Sequence, residues 1–366
     1  MLTARAAVIP GPGQAAEVRE LPVPELEPDS ALLEVVLSEV CGTDVHLRAG
    51  KLAGVPYPII PGHVSVGRLR AIRGSLHDVT GRALHEGELV TFLDVHRTCN
   101  ACWHCLVAKA STRCPRRRVY GITYGAVDGL AGGWAELLYL KPGTRIVPLD
   151  GIAPDSFMAG GCSLPTALHA VERADIVLGD TVLVLGSGPV GLSSIILARM
   201  RGAAVVLCIG APAARLETAH AVGAAAVLDF TQHSPAERHD WVLAHTAGRG
   251  ADVTIEATGA PSAVVEALRY TRDAGRVAIV GQYTDHGNIE LNPHTDLNRK
   301  HLDVRGVWGS DYSHFHRGVE LLRDPMRAQA WAPLVLRRFG LAHADHAVDL
   351  VAAGAVVKAL IEPALF

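Results

Sequence analysis

The sequence has no apolar run long enough to span a bilayer. Its most apolar stretch, 181–211, is broken by Arg199, Arg201 and several glycines, whereas a spanning helix needs about 20 predominantly apolar residues. The N-terminus, MLTARAAVIPGPG, has neither the apolar core nor the cleavage site of a secretory signal. No membrane association is expected, and the expected compartment is the cytoplasm. Basic blocks are scarce too. Arg116-Arg117-Arg118 is the one run of three adjacent cations and the formal net charge is −3, which excludes a nucleic-acid binder that works through a basic face. The low hydrophobicity and high charge of a disordered chain are also missing: 49% of residues are hydrophobic and 19% charged, so the chain folds around substantial cores. Aromatics are few, at 5%. No internal repeat or low-complexity tract is visible. An even cysteine set of the disulfide-framework kind is lacking, since the cysteines are seven: 41, 99, 102, 105, 114, 162 and 208.

What is present points to an α/β protein of two domains, the natural number for 366 residues at about 150 per domain. Glycine is abundant, with 37 residues, as tight strand-to-helix turns require. The first third is punctuated by Pro and Gly around short apolar runs such as 31–37 and 88–92, which predicts a β-rich, partly barrel-like domain. From about Leu164 the rhythm changes. Strands at 182–185, 204–209, 226–228, 253–255 and 276–280 alternate with helical stretches such as 189–201 and 213–222. Near-continuously apolar strands between helices predict a parallel sheet covered on both faces. The tail from about Gly309 returns to a mixed pattern, which makes the first domain discontinuous: 1–163 with 309–366, and 164–308 for the second.

Two motifs stand on their own spacing. Cys99-x2-Cys102-x2-Cys105-x8-Cys114 gathers four thiols within one short lobe, the donor set of a closed, tetrahedral structural zinc site. An iron–sulfur cluster is the rival metal centre. The second motif is Gly186-Ser187-Gly188-Pro189-Val190-Gly191, directly after the strand 182–185 and at the start of a helix. In that context G-x-G-x-x-G reads as a dinucleotide turn, with the pyrophosphate at the helix N-terminus. The following strand lacks the acidic residue that would hold the ribose diol of NAD. Gly210 stands in its place, and Arg215 follows five residues on. Loss of that negative charge leans the reading towards NADP, with NAD as the alternative.

Cys41, in Cys41-Gly42-Thr43-Asp44-Val45-His46, His63 after Gly62, and Cys162 after Gly160-Gly161 are compatible with a catalytic zinc set of two cysteines, one histidine and an open position. Spacing does not unite them, and each alone fits a packed core residue equally well. Taken together and in order, however, these segments resemble the zinc-containing medium-chain dehydrogenase/reductase family, the alcohol dehydrogenase family. Glu256-Ala257-Thr258-Gly259 and 275–281 extend the likeness over essentially the whole chain.

The resemblance implies a GroES-like β-rich catalytic domain and a doubly wound Rossmann domain. It implies two zinc ions per chain, one on Cys41, His63 and Cys162, the other on Cys99, Cys102, Cys105 and Cys114. Thr43 would bond the substrate oxygen and pass its proton to His46. Asp44 would orient His63 by accepting its other ring N–H. Thr166 would border the nicotinamide, and Lys358 would meet the pyrophosphate. A small alcohol or carbonyl substrate and a homodimer or homotetramer are further implications. The polar, His-rich segments 120–133 and 282–294 fit a hydroxylated substrate such as a sugar or cyclitol as an alternative. A non-catalytic nucleotide-binding protein on the same fold is the other. The sequence departs from the family at Val64, where Glu commonly follows Gly-His, in the eight-residue gap before Cys114 where seven is commoner, and at Gly210. Val64 is expected to leave the site more electrophilic and its metal less firmly held.

Overall fold

Alternation along SALLEVVLSEV makes Ser30–Val40 the spine of a β-rich unit. Leu32 and Val40 enter one apolar cluster with Ile9, Trp134 and Ile361, while Ala31, Leu33 and Val35 enter another with Phe92, Tyr120 and Leu138. A strand buried on both faces carries few charges, and this one keeps only Glu34 and Glu39. The computed structural model describes residues 2–365. They divide into two units.

The first unit comprises the chain up to Cys162, 311–328 and the stretch from Val335 onward. Its seven-stranded sheet runs in the order Leu336–Phe339, Lys358–Ile361, Ser30–Val40, Ser65–Arg73, Leu89–Phe92 and Ile146–Pro148, with Leu137–Leu140 also paired to Ser30–Val40. The pairing of Lys358–Ile361 with Ser30–Val40 is antiparallel, with Ala359 opposite Val40. That register brings the end of the chain beside the residues that precede Cys41.

The second unit comprises Ser163–Ser310 and Gln329–Leu334. Its six strands are all parallel, in the order Ala226–Asp229, Val205–Gly210, Thr181–Leu185, Ala251–Glu256, Thr271–Ile279 and Asp303–Gly306. Counted along the chain the order is 3-2-1-4-5-6, the doubly wound arrangement in which a dinucleotide binds at the end of the first strand. The division differs from the sequence expectation by one or two residues at each crossing. It also assigns 329–334 to this unit. The reason is Trp331, fully buried here with its indole N–H donating to Ser193 Oγ at 3.2 Å. Among the described residues no helix is long and apolar enough to cross a membrane.

Candidate active site and metal centres

The strand Ser30–Val40 delivers Cys41 to the N-cap of the short helix Gly42–Arg48. Its Sγ accepts the Thr43 N–H at 3.4 Å, and its own N–H donates to Asp44 Oδ2 at 2.8 Å, a reciprocal capping box. Thr43 and His46, both half-buried, ride on this helix one turn apart. His63 enters from the segment before Ser65–Arg73, and Cys162 from the turn after the helix Pro154–Gly160. Although 121 positions separate Cys41 from Cys162, the fold collects the three. Their donor atoms all lie within 4.8 Å of one another, with Cys41 Sγ 3.9 Å from His63 Nε2. A tetrahedron with metal–sulfur bonds of about 2.3 Å and metal–nitrogen bonds of about 2.0 Å has edges of about 3.5–3.8 Å. The cluster therefore fits one zinc-sized cation with three protein ligands.

Its electrostatics are those of a ligand set. The Cys162 thiol donates to Cys41, and His63 adds its charge, so Cys41 is held well below the usual thiol range against the opposing effect of burial. Cys162 is pushed well above that range by the same contact and by burial. His63 is raised to about 10: burial opposes its charge, but the Cys41 thiolate, Asp44 and Asp94 outweigh it. A cation entering this cluster displaces the remaining protons.

The second cluster, Cys99, Cys102, Cys105 and Cys114, also has all its sulfurs within 4.8 Å of one another. Cys102 and Cys105 Sγ are 3.6 Å apart, and Cys99 N–H donates to Cys114 Sγ at 3.3 Å. Hydrogen bonds from the Ala101 N–H and from Cys102 lower Cys99 to about 6, whereas Cys105 is raised to about 11 by burial and by Cys102. All seven cysteines are free of disulfides, so four thiols remain to close around one cation.

In the second unit, Gly186, Gly188, Pro189, Val190 and Gly191 form the turn between Thr181–Leu185 and the helix Pro189–Met200. A Cβ on Gly191 would stand 1.9 Å from the Gly186 carbonyl oxygen, so helix and strand approach as closely as the motif requires. Gly210 has a steric reason as well as an electrostatic one. A Cβ there would lie 2.4 Å from Ser187 Oγ, 2.6 Å from its Cβ and 2.9 Å from its N. Ser187 Oγ in turn donates to Ala211 O at 3.0 Å and accepts from Ala211 N–H at 3.1 Å. Arg215 stands half-buried at the start of the helix Ala213–Ala221, its guanidinium lowered by burial. Thr166 lies half-buried on the helix Ser163–Arg173.

Two expectations are corrected. Lys358 is not a solvent-facing cation that could meet a pyrophosphate. The antiparallel register carries it into the first unit, where it is 1% exposed. Its Nζ lies 2.7 Å from Glu39 Oε1 and 3.0 Å from Gly160 O. Asp44 does not orient His63 through a hydrogen bond either. His63 Nδ1 and Asp44 Oδ1 are both buried with no hydrogen-bond partner among the described residues, while Asp44 Oδ2 accepts the Cys41 N–H. Sequence reasoning missed Glu39, which accepts the Cys162 N–H at 2.7 Å. The available signal was a charge inside each of two apolar strands, Glu39 in LSEV and Lys358 in VKALI. The segment 120–133 is also spent differently than a substrate wall would be. Tyr120 and Tyr124 are buried, and Tyr124 bonds His96.

Comparison with known proteins agrees with this arrangement. Residues 27–151 match the alcohol dehydrogenase GroES-like domain, and residues 189–324 match the zinc-binding dehydrogenase domain. The chain is 32% identical to 5-exo-hydroxycamphor dehydrogenase of Pseudomonas putida over 368 aligned positions, covering 100% of both chains. It is 28% identical to L-threonine 3-dehydrogenase of Symbiobacterium thermophilum, over 97% of this chain and 96% of that one. An alcohol dehydrogenase of Thermotoga maritima superposes with a TM-score of 0.92 at 31% identity, over 99% and 100% of the two chains. A zinc-binding dehydrogenase of Sinorhizobium meliloti, solved with NADP, superposes with a TM-score of 0.84 at 27% identity, over 99% and 100%. With the ligand clusters, the dinucleotide turn and the fold in agreement, the chain belongs to the zinc-containing medium-chain dehydrogenase/reductase family, the alcohol dehydrogenase family, and is an NAD(P)-dependent oxidoreductase of CH–OH groups.

Proposed function

We propose that this enzyme interconverts a secondary alcohol and its ketone with NADP as the preferred cofactor. The observation that carries this reading is the convergence of Cys41, His63 and Cys162 within 4.8 Å, beside a helix that bears Thr43 and His46. Zinc on those three ligands supplies Lewis-acid polarisation of an alcohol or carbonyl oxygen, and the nicotinamide supplies hydride acceptance or donation. Thr43 accepts the proton of the substrate hydroxyl and donates its own towards His46. His46, one turn along the helix, exchanges it with solvent. Burial of Cys41 and His63 keeps water from competing at the reacting oxygen. A secondary hydroxyl is suggested by the names of the hydroxycamphor and threonine 3-dehydrogenase relatives. The uncharged end of Val205–Gly210 supports NADP. The four-cysteine lobe supports a second zinc. Seven free cysteines fit a reducing cytoplasm. The strand Asp303–Gly306, at the sheet edge with Val304 exposed, suits assembly into a dimer or tetramer.

Elemental analysis should find about two zinc ions per chain, as a four-thiolate and a three-ligand site require. A panel of secondary alcohols with NADP and NAD, followed by nicotinamide absorbance, should show turnover favouring NADP. Cys162→Ser should lose one zinc and lower kcat/KM by more than about 100-fold, since removing even a ligand's hydrogen-bonding partner costs about 10–100-fold. One zinc per chain with no turnover on any alcohol or ketone would refute the reading.

A further inference from the structure

Glu39 and Lys358 form a fully buried ion pair, with side chains 1% and 0% exposed and Nζ–Oε1 at 2.7 Å. Buried charges persist only where their remaining hydrogen-bonding capacity is met. Here it is met by a single short segment. Glu39 Oε2 accepts the Cys162 N–H at 2.7 Å, and Lys358 Nζ donates to Gly160 O at 3.0 Å. Between these two attachments lies Gly161, at φ +48°. A Cβ on it would meet Glu39 Oε2 at 2.1 Å and Lys358 Nζ at 2.6 Å. The turn is therefore pressed onto the pair without a side chain in between. Glu39 is itself fixed from behind: Trp134 Nε1 donates to its carbonyl at 3.2 Å, and its N–H donates to Val64 O at 2.9 Å. Cys41 lies two residues beyond Glu39 on the same chain, so one rigid element places two of the three ligands.

We propose that the Glu39–Lys358 pair is a clamp that positions the Cys162 thiolate for the divalent cation of the three-ligand site. This rests on the reading of Cys41, His63 and Cys162 as that site. Glu39 and Lys358 act through Cys162 and Gly160 and touch neither substrate nor cofactor. The clamp also supplies a carboxylate within the support of the site in a chain that has Val64 where a glutamate is common.

The test uses the full-length chain, stripped of metal by a chelator and titrated with cobalt(II), whose visible spectrum reports coordination geometry and thiolate ligation. Two double variants remove both charges together, so that neither is left buried alone. Glu39→Leu with Lys358→Met deletes both grips. Glu39→Gln with Lys358→Met keeps an acceptor for the Cys162 N–H and loses the hold on Gly160. The leucine variant should bind cobalt at the three-ligand site at least about tenfold more weakly than the unaltered chain, the range seen when outer partners of metal ligands are removed. The glutamine variant should lose several-fold, and both should fill the four-thiolate lobe normally. If a folded leucine variant gives the unaltered affinity and spectrum at the three-ligand site, the pair merely fills the core and the clamp is wrong. Should that variant not fold, the glutamine variant decides: unchanged affinity there overturns the proposal. If the unaltered chain itself takes up cobalt in the lobe alone, the three-ligand reading fails and the clamp falls with it.

Discussion

Gly210→Asp is the substitution that a charge argument would choose to turn an NADP enzyme towards NAD. In this chain it should injure the dinucleotide turn before it changes preference. A Cβ at 210 sits 2.4 Å from Ser187 Oγ and 2.6 Å from Ser187 Cβ, so the serine has to move. Moving it breaks both hydrogen bonds to Ala211, at about 1 kcal/mol each. Forcing extra atoms into a packed site adds about 1–3 kcal/mol. The sum, about 3–5 kcal/mol, is a large share of a domain's stability, commonly about 5–15 kcal/mol. The strain lies inside Gly186–Gly191, so affinity for both NADPH and NADH should fall, tenfold for each ~1.4 kcal/mol that reaches the binding site. Urea unfolding of the second unit with an unchanged m value reads the stability term, and fluorescence titration with each cofactor reads the other. Pairing Ser187→Gly with Gly210→Asp removes the Oγ and Cβ contacts and leaves only the backbone N at 2.9 Å. That double variant should recover part of the loss and show the gain in NADH. If Gly210→Asp alone keeps full stability and binds NADH better than the parent, the steric reasoning is wrong.

Two further outcomes follow from the charges described above. Asp311 caps the helix Tyr312–Arg323, and its bond to His314, then those to Ser313, hold its carboxyl well below the usual range. Its folded pKa is thus depressed from an unfolded value of about 3.9. The stabilisation is complete above that value and is lost as pH falls through the folded pKa. Asp311→Ala should cost ~1 kcal/mol at neutral pH, and urea unfolding should show the gap to the parent narrowing below pH ~4; a gap independent of pH contradicts this. At the three-ligand site, His63 is raised, against burial, to about 10 by the Cys41 thiolate, Asp44 and Asp94, and Cys162 is raised above the usual thiol range by its contact with Cys41 and by burial, so protons are held among the donors before a cation enters. Zinc uptake should release protons, and apparent affinity should rise with pH through the neutral range. Calorimetry in two buffers of different ionisation enthalpy measures the count, and a release near zero refutes the assignment.

The sequence shows local features well and juxtapositions poorly. Strands such as Thr181–Leu185 and Val205–Gly210 lie within a residue of their apolar runs, because burial on both faces leaves no other pattern. The four-cysteine lobe is legible because its sulfurs share 16 consecutive positions. Cys41, His63 and Cys162 are different: only the likeness to a family joined them, since nothing local says that a strand end, a proline-rich approach and a helix exit meet. Lys358 shows the limit most plainly. A lone lysine near the end of a chain has the signature of a surface cation, and its partner is 319 residues away. Only the register of Ala359 against Val40 turns it into a buried one. Asp44 is legible only in part. A carboxylate at the third position of a helix has a backbone N–H at hand for one oxygen, and nothing local in the sequence says whether the other reaches the imidazole.

Cys41 carries two obligations on one sulfur. It faces the cation cluster, and it receives the Thr43 N–H that starts the helix bearing Thr43 and His46. Side chains that cap helices well are Ser, Thr, Asn and Asp, and those that hold zinc are Cys, His, Asp and Glu. Asp is the one common alternative, so drift at position 41 is nearly closed. Position 162 is held differently: Glu39 grips it by its backbone N–H, which every residue except proline provides. The ligand at 162 can change chemical type while the turn stays where it is. Within this architecture, that is where the electrophilicity of the site is free to evolve.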